Sequence, residues 1–233
     1  MANQVIYGRQ PVAEAERGRR RVHRVWRAPE KAAEELERLC GSPDHQGVVA
    51  EVDPYPYADP NSFLSSSFVA ESATNDEREG GGPLIVALDQ VQDPRNLGAV
   101  CRSAEAAGAA GLVIPERRSA EVTAVACKAS AGAVEHLPVA RVRNLADWLT
   151  EAKQAGFWIW GADAEAEQRP WKVDLAGPTV LVLGGEGKGI RPRVAGSCDG
   201  LVSLPQRGKI ASLNVSAAAT ALLFEALRQR DQG

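Results

Sequence analysis

The sequence predicts an α/β protein: a mainly parallel sheet in the C-terminal part, preceded by a small α+β unit. Three observations carry this. From Leu84 onward, short continuous apolar runs alternate with helical stretches, the pattern of strand–helix–strand units that build a parallel sheet. Ahead of them, Asn61 to Pro83 (NSFLSSSFVAESATNDEREGGGP) is rich in serine and acids and ends in three glycines and a proline, a composition that favours a flexible connection. The 233 residues are 44% hydrophobic and 24% charged, which suffices for a buried core and excludes a wholly disordered, collagenous or disulfide-scaffold chain. The expected division is a small domain over residues 1–60, a linker over 61–83 and a larger domain over 84–233, with no internal repeat.

The elements follow in order. One helix is expected at about Pro29 to Leu39. Leu84 to Leu88 (LIVAL) reads as a buried strand, followed by a helix running to Gly108. Asp93-Pro94 suits the cap and first residue of that helix. Leu112 to Ile114 reads as a strand, Ser119 to Ala131 as a helix, Val134 to Arg141 as containing a strand, and Asn144 to Ala155 as a helix. Phe157 to Gly161, Thr179 to Leu183 and Leu201 to Leu204 read as strands. The closing helix spans about Asn214 to Arg230, with Val215, Ala218, Ala219, Leu222, Leu223, Ala226 and Leu227 at core-facing spacing. Phe63, Leu64, Phe68 and Val69 are apolar enough to dock locally within the linker.

Composition narrows the function. No apolar run approaches the ~18–20 residues of a membrane span, and the start lacks the apolar stretch of a signal peptide. A cytoplasmic protein with no membrane partner is expected. Cys40, Cys101, Cys127 and Cys198 are far apart, as are His23, His45 and His136, so reduced thiols and no metal site are expected. The net charge of −3 argues against a general polyanion binder, but its distribution is uneven. Residues 1–40 hold nine Lys and Arg against six Asp and Glu, and Arg17, Arg19, Arg20, Arg21 and Arg24 lie together with no acid between them. That cluster is the expected phosphate-contact surface.

Ligands of parallel α/β sheets bind at the carboxyl ends of strands. Three such ends lead into unusual loops, starting at Asp89, Gly184 and Pro205. LVLGGEGKGIRP (Leu181 to Pro192) is glycine-rich, yet it fails the Walker pattern at both its first glycine and the residue after Lys188, and its glycines give GxGxG rather than GxGxxG. ATPase and dehydrogenase readings fall with it. Glu186 inside this loop would repel a phosphate but accept hydrogen bonds from hydroxyls or an amine. In the first loop, Asn96 and Arg102 are six residues apart, about 120° around a regular helix. They share a site only if the helix starts after Asn96. In the third loop, Ser212 has no nucleophile-elbow surroundings and no histidine after it.

The three loops together resemble the three motifs of the SpoU/TrmH family of SPOUT-type RNA ribose 2′-O-methyltransferases. DPRNLGAVCRSAEAAG resembles the first motif, LVLGGEGKGIRP the second and LPQRGKIASLNVSAAAT the third. The start VIYGRQPVAEA and the later DHQGVVAEV resemble, less closely, the substrate-binding domain of the bacterial 23S rRNA guanosine-2′-O-methyltransferase branch. The resemblance implies a SPOUT-type parallel sheet with a C-terminal deep trefoil knot, a homodimer, and S-adenosylmethionine as cofactor. It implies that Gly184, Leu204 and Leu213 line the cofactor pocket, with Gly185, Asn214 and Ser216 close by. Asn96, Arg102, Glu186, Ser212 and Asn214 match the residues implicated in catalysis or substrate placement.

The residue types suit that chemistry. The methyl of a sulfonium is already activated, so positioning does much of the work. A ribose hydroxyl must lose its proton at or before attack. Family proposals give the proton to the residue matching Arg102. Since arginine stays protonated, the other reading is an anchor for the adjacent phosphate, with Asn96 and Glu186 orienting the arginine or the ribose. Gly185 stands where the family usually has Asn, Ser or Ala, and Gln206 where Met is common. Tyr7 to His45 spans 39 residues, short for the family's N-terminal domain, which bears on the choice of RNA. The expected substrate is RNA, a guanosine of 23S rRNA foremost. The alternatives are a tRNA ribose, or a non-catalytic RNA-binding or ribosome-assembly factor on the same scaffold.

Overall fold

The computed structural model describes residues 3–65, 82–209 and 212–232. The N-terminal unit consists of β1 (Gln4–Tyr7), α1 (Arg9–Arg17), β2 (Val22–Arg27), α2 (Ala33–Cys40) and β3 (Val48–Val52). Its strands pair antiparallel in the order β1-β3-β2. The C-terminal part holds β4 (Leu84–Asp89), α3 (Pro94–Ala106), β5 (Gly111–Pro115), α4 (Ala124–Ala129), β6 (Val139–Val142) and α5 (Leu145–Gln154). It continues with β7 (Trp158–Ala162), β8 (Thr179–Gly184), α6 (Pro192–Ala195), β9 (Gly200–Val202) and α7 (Val215–Arg230).

The larger sheet has the order β6-β5-β4-β8-β7-β9, and every pairing in it is parallel. Parallel strands covered on both faces need apolar residues at every position, which explains LIVAL: all six residues of β4 are buried. Successive side chains then serve opposite layers. Leu84, Val86 and Leu88 join the cluster that holds Leu97, Val100, Leu222 and Leu223 of α3 and α7. Ile85 and Ala87 join the one that holds Leu145, Leu149 and Val194 of α5 and α6.

Helix starts follow local chemistry. The Asp93 carboxylate accepts from Arg95 N at 2.7 Å with Pro94 next to it. Asn144 and Asn214 cap α5 and α7 in the same way, at 3.1 and 2.8 Å. The helix expected over Ser119 to Ala131 is shorter. Val122 N donates to Tyr57 Oη at 2.9 Å, which holds the chain extended until Thr123 caps α4. In the stretch expected to contain a strand, Ala133–Glu135 is a 3-10 turn and β6 begins at Val139. The helix expected from Pro29 begins at Ala33 and ends on Gly41, whose left-handed conformation returns its N–H to Glu37 O at 2.7 Å.

The two sheets share one apolar cluster. Ile6, Val12, Ala15, Ala50, Val52 and Tyr55 pack with residues of β4, α3 and α4. The backbone crosses this boundary as well: Ala58 N donates to Val139 O at 2.9 Å. Of the stretch expected as a linker, Pro60–Leu64 forms a 3-10 turn, and Phe63 is buried with its ring against Gly111. Phe68 and Val69 lie outside the described residues.

At the centre of this boundary Arg20 forms a fully buried ion pair with Glu135. Its guanidinium also donates to Gln4 Oε1 at 2.8 Å and to Cys127 Sγ at 3.3 Å. Burial opposes the charge, but the hydrogen bond and the charge of Glu135 outweigh it, so the Arg20 pKa is raised. Removing one member of such a pair strands a buried charge, worth about 3–5 kcal/mol. Glu135→Ala is therefore expected to lower Tm by on the order of 10 °C, read by scanning calorimetry. An unchanged Tm would show that the pair does not hold the boundary.

All four cysteines are free, and Cys101 and Cys127 are buried. Desolvation pushes the Cys101 thiol up to about 12 and the Cys127 thiol to about 11. Since the thiolate is the reactive form, an aromatic disulfide reagent at pH 8 should leave these two unmodified until the protein unfolds. Rapid reaction of four thiols in the native protein would contradict this.

Candidate active site

The site forms where β4 and β8 end side by side. Asp89 and Gly184 are register partners at the carboxyl ends of these strands. Past that point Gly185 N donates to Asp89 O at 2.9 Å, and Gly189 N returns to Gly185 O at 3.1 Å. The loop between them turns through Gly187 and Gly189, both at positive φ (75° and 62°), where glycine is the natural residue. A Cβ on Gly184 would lie 1.9 Å from the Gly189 carbonyl carbon. Glycine is thus required at 184 for the chain to pass so close to itself.

The loop is clamped from below. The Asp89 side chain is fully buried and accepts from Arg191 N at 2.8 Å, Arg191 Nε at 2.9 Å and the Arg191 guanidinium terminus at 2.7 Å. Asp89 therefore holds both ends of the glycine loop, Gly185 through its backbone carbonyl and Arg191 through its carboxylate. Neither Asp89 nor Arg191 is singled out by the sequence motifs. The available signal is that an acid closes an otherwise apolar strand at its carboxyl edge.

Above the clamp lies a cavity of about 570 Å³, within the range of about 300–1,000 Å³ for small-molecule sites. Gly184, Gly185, Glu186, Leu204, Ser212, Leu213 and Asn214 line it. So does the turn after β7, including Asp163 and Glu165. The rule that ligands sit at strand carboxyl ends applies equally to β7, so this wall was accessible to sequence reasoning but not drawn from it.

Beside the cavity runs a chain of polar side chains whose direction is forced. Asn96 Nδ2 donates to Glu186 Oε1. A carboxylate only accepts, so the amide of Asn96 must face it. That leaves Asn96 Oδ1 to accept from Asn214 Nδ2 at 3.1 Å. Asn214 Oδ1 then accepts from Ser216 N at 2.8 Å and Ser216 Oγ at 2.6 Å. The chain thus joins the first, second and third motif loops. Ser216 acts behind Asn214 and is not among the residues lining the cavity.

Arg102 lies apart from this chain. Because α3 begins at Pro94, Asn96 is already helical and nearly buried, whereas Arg102 faces outward, about 120° away. Arg102 is exposed, with no hydrogen-bond or ion-pair partner among the described residues. Within one chain, the structure does not bring Asn96 and Arg102 together.

The arginine cluster also divides. Arg20 is 4% exposed and committed to Glu135, so the expected phosphate contact at this residue is corrected: its charge is already neutralised inside the protein. Arg19 donates to Glu135 O at 3.2 Å and Leu137 O at 3.0 Å, and Arg17 pairs with Glu14 at 3.2 Å. Arg21 and Arg24 remain exposed without a carboxylate partner among the described residues, Arg24 lying over the Trp26 ring at 5.3 Å. Groups of His, Cys, Asp or Glu able to hold a metal ion are absent among the described residues.

The cavity suits a nucleoside-like cofactor. Leu183, Val202, Leu204, Leu213, Val215 and Leu222 offer apolar walls to a base. The backbone at Gly184 and Gly185 is approachable, and Asp163, Glu165 and Glu186 supply acceptors for hydroxyl, ammonium or sulfonium groups. A triphosphate would meet those three carboxylates as repulsion, against the single cation Lys188. These properties fit an S-adenosylmethionine site, as in the S-adenosylmethionine-dependent RNA ribose 2′-O-methyltransferases whose motifs the three loops resemble.

Comparison with known proteins agrees. Residues 83–224 match the SpoU rRNA methylase family, and the chain belongs to it. Residues 30–58 match the RNA 2′-O ribose methyltransferase substrate-binding domain. The chain is 46% identical over 186 residues to the 23S rRNA (guanosine-2′-O-)-methyltransferase RlmB of Pseudomonas putida, covering 80% of this chain and 71% of that one. It is 43% identical over 196 residues to an uncharacterized tRNA/rRNA methyltransferase of Mycolicibacterium vanbaalenii, covering 84% of this chain and 60% of that one. Among solved structures, the SpoU methyltransferase AviRb from Streptomyces viridochromogenes, in complex with AdoMet, superposes with a TM-score of 0.80 at 26% identity. The match covers 100% of this chain and 92% of that one.

Proposed function

We propose that this chain methylates the ribose 2′-hydroxyl of a guanosine in 23S rRNA, acting in the cytoplasm as a knotted homodimer. The observation that carries the catalytic reading is the Ser216–Asn214–Asn96–Glu186 chain ending at the cofactor cavity. The likeness to the Pseudomonas putida enzyme supports the choice of RNA. Membership of the SpoU family supports the knotted reading. Phe224, exposed on the outer face of α7, supports a paired state.

Bound S-adenosylmethionine supplies an activated methyl group. The protein positions the nucleophile. Asn96 fixes Glu186 through one oxygen, and the other accepts from the ribose hydroxyl and orients it. Asn214, locked by Ser216 and the start of α7, keeps Asn96 from rotating. In the proposed homodimer the partner subunit's Arg102, cationic and without a carboxylate partner among the described residues, anchors the phosphate next to the reacting ribose, and its charge favours loss of the hydroxyl proton. Ser212 offers a further hydroxyl to the substrate at the cavity wall.

The test is methyl transfer from labelled S-adenosylmethionine to separately purified, unmodified rRNA and tRNA, followed by nucleoside analysis. Label in 2′-O-methylguanosine from 23S rRNA is the expected result. Label confined to tRNA would move the substrate to tRNA. Cofactor binding with no label in either pool would favour a non-catalytic RNA-binding role.

A further inference from the structure

A second compartment opens off the cofactor cavity. It has a volume of about 300 Å³ and shares Ala164, Leu204 and Gln206 with the main cavity. Its remaining lining is Arg169, Pro205, Gly208 and Lys209. It therefore presents two cations, and its lining contains no Asp or Glu. The main cavity, by contrast, presents three carboxylates, Asp163, Glu165 and Glu186, against one cation, Lys188.

Arg169 is held in place by neutral partners. Its Nη1 donates to Ser203 Oγ, and that hydroxyl in turn donates to Ala166 O at 2.7 Å. Ser203 is buried, and its own N–H donates to Gln168 O at 2.9 Å. The arginine is thus oriented by a serine whose hydroxyl and backbone N–H are each fixed to a backbone carbonyl, while its charge is left uncompensated. Neither Arg169 nor Lys209 has a carboxylate partner among the described residues. Arg20, Arg141, Arg191 and Arg193 each have one. A half-buried, pre-oriented guanidinium without a counter-ion is a receptor for an oxyanion.

We propose that this compartment binds a backbone phosphate of the substrate RNA, seating the strand beside the methyl donor. Arg169 grips the phosphate and Lys209 closes over it. A phosphodiester chain suits the compartment's continuity with the cavity and its open, exposed Lys209 side. A cofactor carboxylate is the competing oxyanion. This inference rests on RNA ribose methylation as the reaction.

The experiment uses the full chain, its Arg169→Gln and Lys209→Gln variants and an Arg169→Lys control. RNA affinity is measured across a salt titration, cofactor affinity by calorimetry, and methyl transfer on 23S rRNA. Each Gln variant is expected to weaken RNA binding and to reduce the slope of log K against log salt by about 1, with cofactor affinity unchanged. Arg169→Lys should recover most of the slope. Lys209 is exposed, so its variant reports on binding even if Arg169→Gln weakens the fold. Unchanged slopes in both Gln variants, with wild-type methylation intact, would overturn the compartment while leaving the reaction standing. Loss of cofactor affinity with an unchanged slope would also overturn it, assigning the cations to the cofactor carboxylate. No methylation of any RNA by the wild type would overturn the reaction and this inference with it.

Discussion

Gly184→Ala is expected to reduce S-adenosylmethionine affinity by on the order of 10²-fold or more, about 2.7 kcal/mol, and to remove methyl transfer with it. The added methyl would meet the Gly189 carbonyl carbon at 1.9 Å, its oxygen at 2.1 Å and Ile190 N at 2.3 Å. All three are backbone atoms, so no side chain can turn aside. The glycine loop must leave its seat against Asp89, and the cavity wall leaves with it. Gly187→Ala is the informative contrast. Nothing lies within 4 Å of its Cβ position, and only its φ of 75° is unfavourable, a penalty of roughly 1–2 kcal/mol confined to an exposed turn. Calorimetric titration of both variants checks this. Equal affinities would show that the close crossing does not shape the cavity.

Arg102→Ala is expected to lower the rate of methyl transfer by on the order of 10²–10³-fold, the range typical of a lost electrostatic stabiliser. Cofactor affinity should be unchanged, because Arg102 does not line the cavity. The lysine variant separates the two possible roles. A phosphate anchor keeps part of its effect as a lysine point charge with the pH dependence unchanged, whereas a base would move the pH–rate profile toward the lower pKa of an ammonium. Substantial activity in Arg102→Lys, with a pH–rate profile like that of the wild type, is the expected result. Wild-type turnover in Arg102→Ala would remove Arg102 from the mechanism.

Much of the framework was legible because it is local. LIVAL and TVLVL are buried strands, and the Asp93-Pro94, Asn144 and Asn214 caps are short-range chemistry. The motif loops could be marked one by one. What joins them could not be read from spacing, because the partners are distant in the chain: Asn96 and Glu186 are 90 residues apart, Asp89 and Arg191 are 102 apart. The arginine run was misleading at Arg20 for the same reason. Its partner, Glu135, is 115 residues away, so a cluster that reads as uniformly basic is in part an internal ion pair. The late start of the helix expected from Ser119 likewise depends on a tertiary partner, Tyr57.

The apolar cluster shared by the two sheets turns the N-terminal unit into one arm of a caliper. Because its strands and the cofactor cavity are parts of one packed solid, the span from Arg21 and Arg24 to the methyl donor is set by the fold. An RNA that touches both ends must bring its target ribose to that one separation. Selection of the nucleotide can then come from measuring distance along a folded RNA.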